Sequence, residues 1–78
     1  MIFLIEYERK RGCLIQIRSY ENSDRPLAEQ ARLELELWLR RSGKSHEVVI
    51  LEAADEAALR KTHRRYFEDL AKLAKAAG

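Results

Sequence analysis

The stretch from Asp55 to Ala77 constrains this chain most. Leu59, Tyr66, Leu70, Leu73 and Ala77 recur at three- and four-residue spacing. At about 100° per residue they form one apolar stripe, and Arg60, Lys61, Arg64, Lys72 and Lys75 fall mostly opposite. The spacing predicts one long amphipathic helix, with Asp55 as its N-cap and Glu56 where the helix dipole favours negative charge. Such a helix needs an apolar surface to cover, and the rest of the chain must supply it.

The chain has 78 residues, which fits a single domain with a thin core. Apolar residues make up 46% and charged residues 36%, a balance that argues for a compact fold and against disorder. Cys13 stands alone, so no internal disulfide can form, and a reducing compartment is expected. The apolar run Met1 to Ile5 is too short for a signal-peptide core or a membrane span. A cytoplasmic protein with no membrane association is expected. The net charge of +2 is uneven: six basic groups against Glu68 and Asp69 put +4 on residues 59–78, leaving −2 on the remainder.

Ile2 to Tyr7 reads as a strand, and its first four side chains are apolar without alternation, as in a strand covered on both faces. Glu8 to Gly12 reads as a hairpin loop closed by glycine. Cys13 to Tyr20 follows as a second strand, with Cys13, Ile15 and Ile17 on one face and Gln16 and Arg18 on the other, the alternation of a half-buried edge. Ser23 or Asp24 can cap a helix that takes Pro26 in its first turn. Leu27 to Arg41 fits either period. Its Leu, Glu, Ala and Arg content favours helix, and Ser42-Gly43 supplies the stop. His46 to Glu52 encloses the apolar strand Val48 to Leu51. The order ββαβα, with a crossover between the second and third strands, predicts an α+β fold. Its three-stranded antiparallel sheet has order 2-1-3, with two helices packed on one face.

Helix packing on one face leaves the other face bare. Ile2, Leu4 and Leu14 are then expected to face outward, joined by part of the Val48–Leu51 run. On the first helix, Leu27, Ala28, Ala31, Leu35, Trp38 and Leu39 form the core-facing stripe. Leu33 and Leu37 lie roughly opposite it. These apolar surfaces predict a small non-enzymatic interaction domain, a homodimer or a module with another protein partner, using Ile2, Leu4, Leu14, Leu33 and Leu37. The alternative is a nucleic-acid-binding module. It would use Arg60, Lys61, Arg64, Lys72 and Lys75 on the last helix, with Arg65 at the flank, and the hairpin tip Arg9-Lys10-Arg11.

Signals for chemistry are weak. His63 borders the apolar stripe and reads as a packed side chain; His46 precedes the third strand. Neither stands with Cys13 at the paired spacing of a zinc site. No phosphate-binding glycine loop is present, and no cofactor is expected. Glu6, Glu29 or Glu34, and Glu52 or Asp55 are the carboxylates that could converge on a divalent ion. The order of a hairpin, helix, strand and helix loosely resembles that of ribonuclease H-like nucleases. That family has a further strand before the helix, which this chain lacks, and no motif matches.

Overall fold

A computed structural model describes residues 1–67 of the chain. Strand β1 spans Ile2–Glu8 and β2 spans Cys13–Tyr20. A 3-10 turn over Asn22–Asp24 leads into helix α1, Arg25–Arg41. Strand β3, His46–Glu52, is followed by helix α2, Glu56–Thr62, and a 3-10 turn over Arg64–Tyr66. The fold is α+β, and the sheet is antiparallel in the order β2-β1-β3, as expected. No helix among the described residues is long and apolar enough to cross a membrane.

Local chemistry accounts for the boundaries. Gly12 closes the β1–β2 turn at φ 64°. α1 carries Pro in its first turn and ends in a Schellman motif. Gly43 sits at φ 68°, its N–H donating to the Arg40 carbonyl at 3.3 Å, while the Lys44 N–H donates to the Leu39 carbonyl at 3.1 Å. Asp55 caps α2 as expected, its Oδ1 accepting from the Ala58 N–H at 2.8 Å.

The two helices lie on opposite faces of the sheet, which corrects the one-face expectation. Successive strand residues alternate between faces. Phe3, Ile5 and Tyr7 pack with Leu59 of α2 and with Tyr66, joined by Leu14, Ile17, Val49 and Leu51. On the other face, Arg25 of α1 pairs with Glu52, and Leu39 of α1 shares a cleft wall with Val48 and His46. Ile2 and Leu4 therefore lie beneath α1 and are fully buried, not outward-facing. Leu14 is half-buried against the Phe3–Tyr7 face. The cause is β1 itself: six consecutive buried residues require cover above and below.

Three further expectations change. The continuous helix from Asp55 to Ala77 is interrupted at His63, whose backbone leaves helical geometry at φ −124° and ψ 51°. There Thr62 turns its hydroxyl back onto the Ala58 and Leu59 carbonyls. The break drops Tyr66 onto Tyr7 in an edge-to-face contact at 5.3 Å. Leu70, Leu73 and Ala77 of the expected stripe lie outside the described residues. In β2, Glu6 pairs with Gln16 but Tyr7 with Leu14. Ile15 is thus the extra residue of a bulge, and Cys13, Ile15 and Ile17 do not form one simple alternating row. On α1, the core-facing stripe narrows to buried Ala28 and Leu39 with half-buried Ala31 and Leu35 between them. Leu27 and Trp38, expected in the core, are more than half exposed.

Candidate functional site

Among the described residues, the exposed large apolar side chains are Met1, Ile15, Leu27, Leu33, Leu37 and Trp38, so four of the six lie on α1. Leu33 and Leu37 are 55% and 43% exposed and point away from the sheet, as the sequence predicts. With Ile2 and Leu4 buried, this ridge is what remains of the expected apolar surface. Its neighbours are charged. Arg32 pairs with Glu36 and Gln30 donates to Glu34 along the helix. Glu29, Arg40 and Arg41 have no ion-pair partner among the described residues.

The basic residues divide. Arg60 pairs with Glu56 along α2 and stacks over the Phe67 ring at 4.5 Å. Lys61 and Arg64 are exposed, with Arg64 beyond the break in the helix. Lys72 and Lys75 lie outside the described residues. Arg65 donates to Glu47 at 2.9 Å and to the Tyr66 hydroxyl at 2.7 Å. The Tyr66 contact is the first cause that raises its pKa, with Glu47 adding to it, so the guanidinium is held charged. Arg9 reaches the same Glu47 at 3.5 Å. Lys10 and Arg11 extend beyond it at the hairpin tip. The basic face expected on one straight helix is therefore split, and part of it serves Glu47.

The polar centre lies elsewhere. Glu6 is the buried charged side chain among the described residues, 3% exposed in a strand otherwise apolar from Ile2 to Tyr7. One carboxylate oxygen accepts from Gln16 Nε2 at 2.6 Å; the other meets His46 Nδ1 at 2.5 Å. Arg18 in turn donates to Gln16 Oε1 at 3.1 Å. The pairing spans three strands and 40 residues of sequence, so helical or strand periodicity could not reveal it. The one available signal was a carboxylate inside an apolar run. Every buried side-chain nitrogen and oxygen among the described residues has a partner. His46 Nε2 shows no partner of its own, so it must open to solvent.

The remaining candidates do not assemble. Glu52 pairs with Arg25, Asp55 caps α2, and Glu29 and Glu34 lie on exposed α1 positions. Cys13 contacts Glu8 Oε2 at 3.9 Å. His63 is half-buried at the end of α2. Among the described residues, no cluster of three His, Cys, Asp or Glu side chains could hold a metal ion. No family model, curated protein or solved structure matches this chain.

Proposed function

We propose that this protein is a non-enzymatic interaction module that self-associates through the outer face of α1, two copies packing antiparallel about a two-fold axis. One observation carries the reading: the exposed face of α1 is complementary to itself. At about 100° per residue, Leu33 and Leu37 lie about 20° either side of the outward direction. Gln30 and Arg40 lie about 40° either side, and Glu29 and Arg41 about 60°. All three pairs are centred on Leu35 in height. A two-fold axis there, perpendicular to the helix and to the outward direction, keeps each side chain on its own flank. It sets Leu33 beside Leu37 of the second copy, Glu29 against Arg40, and Gln30 against Arg41. Isologous contact requires this symmetry of shape and charge. A parallel arrangement would bring Arg40 against Arg41 of the second copy.

The energetics support a modest affinity. Fully burying a leucine is worth about 2.5 kcal/mol. Leu33 and Leu37, at 55% and 43% exposed, amount together to about one leucine per copy, or about 5 kcal/mol for the pair of copies. About 5 kcal/mol corresponds to a dissociation constant of about 0.2 mM, so a weak dimer is expected.

Sedimentation equilibrium over about 20 μM to 2 mM tests the reading, a range that brackets a constant of about 0.2 mM. The wild-type chain dimerises, and the combined Leu33→Glu, Leu37→Glu variant is monomeric throughout. Glu29→Arg and Arg40→Glu each weaken the dimer, and the two together restore it. A monomeric wild type overturns the proposal. A dimer indifferent to the leucines and the charge swap overturns this interface.

A further inference from the structure

We propose that the sheet end around His46 is a binding site for the phosphoryl group of a small phosphomonoester. Three elements converge there. The β1–β2 turn brings Lys10, the loop after α1 brings Gly43, Lys44 and Ser45, and β3 begins with His46. Together with Glu8 and Ile15 they line an open cavity of about 480 Å³. Lys10, Ser45 and His46 also border a second opening of about 470 Å³, beside Arg9 and Glu47. His46 and Lys44 border a third, beneath Arg40.

His46 is held for a purpose that packing does not explain. Its Nδ1 is fixed by Glu6, Glu6 by Gln16, and Gln16 by Arg18. A buried carboxylate is a poor source of stability, since apolar side chains of similar size usually serve as well or better. What the chain gains is an imidazole of set orientation whose Nε2 has no hydrogen-bond partner among the described residues. With Nδ1 committed to Glu6, Nε2 is the ring nitrogen left to meet a ligand. Lys10 and Lys44 place two ammonium groups on the wall against one carboxylate, Glu8, and Ser45 adds a hydroxyl. Several convergent donors of this kind suit the oxygens of a phosphoryl dianion. The cleft is open, so an organic group carried on the phosphoryl meets no wall, and Ile15 offers it an apolar contact.

The chain carries its own reporters. It has two histidines, so His63, on the opposite face of the sheet, serves as the internal control for His46. It has one tryptophan, and the Lys44 ammonium lies 5.2 Å from the Trp38 ring centre, so an anion drawing on Lys44 changes Trp38 emission. The full chain is titrated with inorganic phosphate, adenosine monophosphate and, separately, an oligonucleotide without terminal phosphates. Sodium chloride at matched ionic strength is the blank. The imidazole 15N resonances and Trp38 fluorescence are followed. Both phosphate and the monoester shift His46 and not His63, with the monoester saturating at lower concentration. Lys44→Gln, an exposed change, and Lys10→Gln each weaken binding roughly tenfold. His46→Gln abolishes it. The proposal is overturned if His46 is unmoved by about 50 mM phosphate, a concentration that would saturate even a millimolar site. It is also overturned if chloride shifts His46 equally, or if only the oligonucleotide acts.

Discussion

Replacing Glu6 and replacing His46 should have opposite consequences for stability. In His46→Ala, the Glu6 oxygen now 2.5 Å from Nδ1 loses its partner, while the carboxylate stays 3% exposed beneath α1. Leaving a buried carboxylate without this partner costs about 3 kcal/mol. In Glu6→Leu, the buried position becomes apolar and continues the run of β1. The stranded partners can turn to water, because the His46 side chain is already 14% exposed and Gln16 is half-buried. The loss of two charge-assisted hydrogen bonds is offset by apolar burial, so the net change is about 0 to 2 kcal/mol in the stabilising direction. Urea denaturation followed by circular dichroism resolves the difference. All variants are held at one protein concentration, since dimer formation would itself shift the midpoint. With a slope of about 1 kcal/mol per M for a small domain, the His46→Ala midpoint falls by about 3 M. The Glu6→Leu midpoint stays or rises. The combined variant lies close to Glu6→Leu, because the penalty of the lone His46 change comes from the carboxylate it abandons. A Glu6→Leu variant less stable than His46→Ala would refute this account and make Glu6 a stabilising residue of the core.

Two other outcomes check the packing. Leu59→Ala removes a fully buried side chain from the cluster with Phe3, Ile5, Tyr7 and Tyr66, and should cost about 3 kcal/mol in the same urea assay. Gly43→Ala meets no atom within 4 Å of the added carbon, so its cost is conformational alone. At φ 68° that is about 1 kcal/mol, a midpoint shift of about 1 M with α1 helicity retained.

Sequence alone determined the elements and much of their order in space. Those signals are local. Leu33 and Leu37 repeat at helical spacing, Asp55 precedes a helix-forming run, and Gly43 follows one. Each is legible because helix, cap and turn energies depend on neighbours within about four residues. The unbroken apolar start of β1 likewise placed it at the centre of the sheet. Tertiary structure decided what depends on distant partners. Cover for both faces of β1 put the helices on opposite sides and buried Ile2 and Leu4. Docking of Tyr66 on Tyr7 accompanied the end of α2 at Thr62, although the stripe continued in sequence. The bulge at Ile15 moved a row of β2 side chains. Glu6, Gln16 and His46 met because antiparallel register brought three strands level, and no spacing along the chain encodes that meeting. A periodic pattern states which face of an element is apolar; which surface it meets is settled only when the whole chain closes its core.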